Sequence, residues 1–408
     1  MLKILVNLII IGIGAKWSGK VVEFIKLPAL IGMMFFGMLI GPFMLNLIPN
    51  ETLAIAPAVK SLALIIILFM GGLGISLEQI KQIGRPAILL SIIPAVLEGF
   101  TIAFVSTKLL GFSFIQGAIL GFIIAAVSPA VLVPSMISLI KRKVGQDKAI
   151  PQMLLVGASA DDTIAITLFT TFLTLYLQQQ NGEVGSIWIN ISFIPLTIAL
   201  SLSVAYLVFK LTKPLINLTK HAWLRTGIAF GVCIVMRLIE NAIPYDIFNS
   251  LLAIMVFGFL IYNYLTESAE IIMILMDKAW MIGRLYLFTF VGMAINPTLV
   301  GNFLVIGITL LVISLTVRSF GVLLSLIGTN LTWKERLFCI IAYLPKATVQ
   351  SAKASIPLQM GVEGGVIMEA IAILSVLVTA PIGAIGIKLT SDRLLSLDEV
   401  DETTEIVS

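Results

Sequence analysis

Asp161 and Asp162 stand side by side in the middle of residues 151–176, PQMLLVGASADDTIAITLFTTFLTLY, a stretch otherwise without charge. Such a stretch has about the length a helix needs to cross a bilayer. One charge at the bilayer centre costs at least about 2.5 kcal/mol, and two adjacent carboxylates also repel. Packing gives no reason for the pair; a watery cavity in which it handles cations or protons does. Neighbouring helix residues point about 100° apart, so one carboxylate can line a cavity while the other turns to an adjacent helix. Ser159, one turn before Asp162, is a candidate hydroxyl ligand for a dehydrated cation. Gly157 and Ala165 flank Asp161 one turn away on either side and leave room for other helices to approach it.

Three further charges fall near the centres of apolar runs: Glu98 in IIPAVLEGFTIAF, Arg318 in ISLTVRSFGVLL and Lys346 in AYLPKATVQSAKAS. A guanidinium stays charged in low dielectric and needs a partner, so Glu98 and Arg318 are expected to form an ion pair. AAVSPAVLVPS carries Pro129 and Pro134, and Pro345 precedes Lys346. Proline removes a backbone donor and frees a carbonyl four residues earlier. One such proline is an ordinary kink; breaks at corresponding places in two halves of a chain point to a transport site built from half-helices. Ser128, at the first break, is a second candidate ligand. Lys346, at the second, would neutralise carbonyl-rich half-helix ends.

The elements that position these groups are transmembrane helices. Of 408 residues, 59% are hydrophobic and 12% charged, where about a quarter would be charged in a soluble domain. The apolar runs are continuous rather than alternating, so the chain is an all-α polytopic membrane protein, not a barrel. Spans are expected at 4–15, 28–47, 57–77, 86–108, 115–140, 151–177, 187–209, 222–240, 246–264, 279–295, 302–327, 336–356 and 365–388, about thirteen in all. The first reads as a short helix, because Lys16-Trp17-Ser18-Gly19-Lys20 is no signal-peptide cleavage pattern. Residues 267–278 read as an interfacial helix or as the first turns of the tenth span. Basic residues crowd alternate loops, with Lys141, Arg142, Lys143 and Lys148 in one and Lys210, Lys213, Lys220 and Arg225 in another. The opposite side keeps Lys3, Lys60, Lys108, Arg237 and Lys353. This asymmetry places the N-terminus outside and the C-terminus in the cytoplasm. Residues 391–408 are expected to be a disordered cytoplasmic tail, acidic from Leu397 onward.

Spans four to six and eleven to thirteen run charged helix, broken helix, helix, and start from opposite sides. Two inverted repeats around one site imply alternating access. Cys233 and Cys339 lie in apolar runs and indicate neither a disulfide nor a zinc site, and no soluble segment is long enough to host an enzyme. The net charge of +4 reflects loop distribution and does not suggest nucleic acid as a partner.

GFIIAAVSPAVLVPSMISLI, LLVGASADDTIAIT and YLPKATVQSA together resemble the monovalent cation–proton antiporter superfamily, over nearly the whole chain. The nearest likeness is to sodium/proton exchangers of the NHA branch, related to bacterial NapA and NhaA. The resemblance implies a homodimer in the plasma membrane that transports Na+ or Li+ against H+ without a cofactor. It implies a dimerisation domain from residues 1–85 and 215–298, a linker at 181–214, and a core from 86–180 and 299–390 moving like an elevator. Asp162 resembles the family's ion-binding aspartate and Asp161 its companion. Arg318 stands where many double-aspartate relatives have a lysine pairing with the first aspartate, and Glu98 resembles the acid that pairs with such an arginine in the NHA branch.

A carboxylate that binds either a proton or a cation, never both, couples two gradients without ATP. His221, the only histidine, lies in a loop and cannot be that carrier. With Arg318 held by Glu98, Asp161 is expected to lack a basic partner and to titrate with Asp162, so that two protons exchange for one Na+ and the cycle is electrogenic. K+/H+ exchange and an ion channel on the same scaffold remain alternatives. An intramembrane aspartyl protease does not, since it needs facing aspartates on different helices.

Overall fold

Long apolar runs with few breakers become helices, because at membrane depth a helix satisfies its own backbone. A computed structural model describes residues 2–180, 187–243 and 247–396, and no strand occurs among them. The N-terminal part comprises α1 (Leu2–Phe24), α2 (Ala29–Ile40), the short α3 (Asn50–Leu53) and α4 (Ala56–Gly72). There follow α5 (Leu77–Leu109), α6 (Phe114–Ala125), α7 (Pro129–Lys141) and α8 (Ile150–Gln180). Next come α9 (Ile187–Leu218), α10 (Ala222–Ala242), α11 (Ser250–Tyr264) and α12 (Thr266–Met293). The chain continues with α13 (Pro297–Asn302), α14 (Leu304–Ser325), α15 (Trp333–Ala342), α16 (Thr348–Lys353), α17 (Ile356–Gln359) and α18 (Gly365–Leu394).

Two groups of helices emerge. In one, α5 packs on α6, α8 and α14, and α18 covers α15, α16 and α7; in the other, α1, α2, α4, α10 and α11 pack around α12. The long α9 lies between them, against α8 and α11. Within the first group α5 and α6 run almost backbone to backbone: a β-carbon at Gly121 would sit 2.2 Å from the Gly99 carbonyl oxygen. Phe100, Phe114, Phe122 and Phe172 fill the adjoining space, Phe122 stacking on Phe172 at 5.7 Å. Capping boxes start α5, α6 and α15, formed by Ser76 with Gln79, Ser113 with Gln116 and Thr332 with Glu335.

Each expected span coincides with a helix or a broken pair, with instructive shifts. The first is longer than 4–15: α1 runs on through Lys16 and Lys20 to Phe24, and the lysine side chains can snorkel without ending the helix. Residues 267–278 are the first turns of α12, not a separate interfacial helix. The last helix passes the expected span end at 388 and the core boundary at 390 and reaches Leu394, so the tail does not start at 391; residues 397–408 lie outside the described residues. Nine helices among the described residues are long and apolar enough to cross a bilayer, with α2 and α11 as shorter apolar helices. The first break falls at Ala126–Ser128, where the backbone is extended, because the residue before a proline disfavours helix. Pro134 lies inside α7 and does not break it.

Candidate functional site

The two breaks cross each other at the centre of the first helix group. The Ser128 amide donates to the Pro345 carbonyl at 2.8 Å, joining the interrupted segments of α6–α7 and α15–α16. An interruption leaves carbonyls at the end of α6 without helical partners, and each needs a donor. Gln350 Nε2 serves Ile124 O at 3.1 Å and Ala126 O at 2.9 Å. Ala125 O accepts from Arg318 Nη1 and, at 3.1 Å, from Lys346 Nζ. At the other break the Tyr343 carbonyl accepts from Arg318 Nε at 2.8 Å. The Val127 amide donates to Asp161 Oδ2 at 2.7 Å.

The five charges picked out from the sequence come together here. Glu98 Oε2 accepts from Arg318 Nη1 at 2.7 Å and from Lys346 Nζ at 2.6 Å. Arg318 Nη2 lies 3.6 Å from Asp161 Oδ1, and the Tyr343 ring stacks on the guanidinium, 5.5 Å from its carbon. Glu98, Asp161, Arg318 and Lys346 have no exposed surface, and Asp162 has 6%. The expected Glu98–Arg318 pair is therefore part of a larger network. The expectation that Asp161 lacks a basic partner is corrected: a guanidinium offers five donors in a fork, enough to serve Glu98 and two carbonyls and still face Asp161.

Asp162 is different. It makes no hydrogen bond or ion pair with any described residue, and its Oδ1 is buried without a partner. Helical rotation separates the neighbours: Asp161 points into the break, while Ser159 and Thr163 meet α11. Ser159 Oγ donates to Leu155 O at 2.9 Å and lies 2.8 Å from Met255 Sδ; Thr163 Oγ1 accepts from Asn249 Nδ2 at 2.8 Å. Of the two candidate hydroxyl ligands, Ser128 Oγ is buried and unpartnered whereas Ser159 is engaged. Three carboxylates face two bases, which leaves one surplus negative charge. Any cation held here must draw on the aspartates and neutral oxygens, because no group of three His, Cys, Asp or Glu side chains converges among the described residues.

Two cavities flank α7 among the described residues. On the side of the 141–149 loop, a cavity of about 390 Å³ opens between α7 (Ile137, Ile140, Lys141) and α11–α12 (Tyr262, Met273). A second, of about 170 Å³, lies between Ala130–Ser135 of α7 and Trp280 and Phe288 of α12. Sequence reading missed Gln350, Tyr343 and Asn249. Gln350 had one signal, an amide one turn after Lys346 in a broken span. The hydroxyl of Tyr343 lies where a β-carbon on Gly157 would be, 2.2 Å away, so Gly157 is the clearance for Tyr343.

Comparisons with known proteins bear on the family and the fold. Residues 8–392 match the family model described as sodium/hydrogen exchanger, transmembrane. Human sodium/hydrogen exchanger 9B2 is 32% identical over 428 residues, covering 99% of this chain and 77% of the relative. The Xenopus tropicalis exchanger 9B2 is 30% identical, with 96% and 75% covered. The structure of the sodium proton antiporter MjNhaP1 from Methanocaldococcus jannaschii superposes with a TM-score of 0.77 over 98% of this chain and 99% of that one, at 19% identity.

Proposed function

The chain belongs to the transmembrane sodium/hydrogen exchanger family, and on that premise we propose an Na+/H+ antiporter in which Na+, or Li+, competes with H+ for Asp162. The observation that carries this reading is the unpartnered Asp162 carboxylate beside a network whose other charges are all engaged. Asp161 is held by the Val127 amide and faces Arg318, so it shapes the break. Ser128 Oγ supplies a neutral oxygen to the cation.

The surplus of one negative charge supports one-for-one exchange in place of the two-proton scheme. Either a single H+ or a single Na+ neutralises the site; an empty site carries a charge through low dielectric, which is costly. That cost opposes movement of the empty carrier and makes exchange obligatory. The first helix group, α5–α8 with α14–α18, is the moving core. It slides like an elevator past α1–α4 and α10–α12, with α9 as the link and a second copy joined through the stationary group. We place about thirteen crossings in the plasma membrane, N-terminus outside.

Voltage tests the charge count. In proteoliposomes with the membrane potential set by K+ and valinomycin, Na+-driven H+ movement is expected at the same rate at zero potential and at about 100 mV of either sign. A cycle moving one net charge would gain or lose about 2.3 kcal/mol over that range. A steep voltage dependence would contradict one-for-one exchange, and Na+ current without proton counter-movement would contradict antiport.

A further inference from the structure

Helix α11 begins at the depth of the carrier site and not at a membrane surface. Its N-cap, Asn249, accepts from the Leu252 amide at 3.0 Å with Oδ1 and donates through Nδ2 to Thr163 Oγ1 at 2.8 Å. Its own amide donates to Ser201 Oγ of α9 at 2.9 Å. Asn249 is 8% exposed, Thr163 2% and Ser201 not at all. Thr163 follows Asp162 directly. One residue thus ties α11, α9 and α8 together immediately beside the carrier carboxylate. A turn and a half further along α11, Met255 Sδ lies 2.8 Å from Ser159 Oγ, on the side of Asp162 nearer the 141–149 loop. The cavities described above also lie on that side, along α7. Beyond Asp162, on the side away from these cavities, the Asn249–Thr163 bond closes α8 against the start of α11.

We infer that Asn249 is the gate residue of the exchanger: its side-chain amide holds Thr163, and with it the carrier site, closed toward the side opposite the 141–149 loop. This rests on the alternating-access reading above. The Asn249–Thr163 bond joins the two helix groups, whereas the network around Arg318 lies wholly within one. Sliding of the core leaves the Arg318 network intact and must break the Asn249–Thr163 bond once per cycle. One buried neutral hydrogen bond shifts a two-state equilibrium about two- to tenfold, enough to bias which side the carrier faces without locking it. Serine at position 249 would keep the N-cap and lose the reach to Thr163.

A cysteine reporter reads the seal. Thr167 lies one turn beyond Thr163 on the same face of α8, is 5% exposed and donates to the Thr163 carbonyl at 2.7 Å. In a Thr167→Cys chain, a membrane-impermeant thiol reagent is added to either side; Cys233 and Cys339 are buried, and the chain without the reporter gives the background. Thr163→Val and Asn249→Ser are each expected to speed labelling about two- to tenfold from the side opposite the 141–149 loop only. Thr163→Ser, which keeps the acceptor, is expected to label like the parent. Combining Thr163→Val with Asn249→Ser is expected to add little, since both remove the same bond. Unchanged labelling in both single variants, an equal rise from both sides, or a rise in Thr163→Ser would overturn the gate. The same labelling pattern is expected in an Asp162→Asn background. Exchange persisting in Asp162→Asn would overturn the carrier assignment and leave the gate standing, so the two readings fail separately.

Discussion

Asp162→Asn is expected to abolish Na+-driven proton movement, down to the rate of protein-free liposomes, in a protein that still folds. Asparagine keeps the shape of the side chain but binds neither a proton nor Na+ in exchange for the other, so the competition at that position ends. The fold should not suffer. Asp162 makes no hydrogen bond or ion pair with any described residue, and a buried charge without a partner costs free energy that a neutral amide largely avoids. The thermal midpoint is therefore expected to stay level or rise. Asp161→Asn should behave in the opposite way. It removes the charged acceptor of the Val127 amide and the carboxylate facing Arg318, so its first symptom is a lowered thermal midpoint. Normal exchange by folded Asp162→Asn protein would remove the carrier role from this residue.

The second large effect is on stability and concerns Glu98. Its Oε2 takes both Arg318 Nη1 and Lys346 Nζ, so Glu98→Gln leaves two buried cations facing each other. Removing one partner of a buried pair costs about 3–5 kcal/mol, and here the remaining like charges also repel. Compensation should depend on which base is removed with it. Adding Lys346→Met restores the charge balance and keeps the bonds from Arg318 to Ala125 O and Tyr343 O. Adding Arg318→Leu restores the balance but strands the Tyr343 carbonyl and leaves Ala125 O to Lys346 alone. Thermal unfolding in detergent should rank Glu98→Gln lowest, the Arg318 double variant next and the Lys346 double variant nearest to the parent. Equal recovery by the two double variants would show that Arg318 contributes charge alone.

Much of this site could be read from residue types because charges are so costly at membrane depth. Glu98, Asp161, Asp162, Arg318 and Lys346 stand out against apolar sequence, and the structure gathers four of them into one network with Asp162 beside it. The position of the first break was also legible, since Ser128 precedes a proline. Hydropathy says nothing about how a helix is rotated about its axis, and that rotation decided the rest. It turns Asp161 toward Arg318 and Val127 and leaves Asp162 unpaired, which removes the premise that Asp161 lacks a basic partner. Helix ends were blurred for a related reason. Lys16 and Lys20 lower the hydropathy of α1 without ending it, and the charged turns of α12 left open whether they formed a separate interfacial helix or the start of a continuous one. Asn249 could not have been found, because an N-cap on an apolar helix looks the same at a membrane surface as at its centre.

The central claim is that Na+ and H+ exclude each other at one carboxylate, and the dependence of the Na+ KM on pH tests it most directly. Labelled Na+ uptake into proteoliposomes would be measured over a range of Na+ concentrations at several pH values, with pH equal on both sides and unlabelled Na+ inside. The account predicts that the KM rises as pH falls, approaching roughly tenfold per pH unit once the proton dominates, while the maximal rate stays nearly constant. A KM indifferent to pH, with a maximal rate that falls instead, would mean that the proton and Na+ bind at separate sites and would contradict the account.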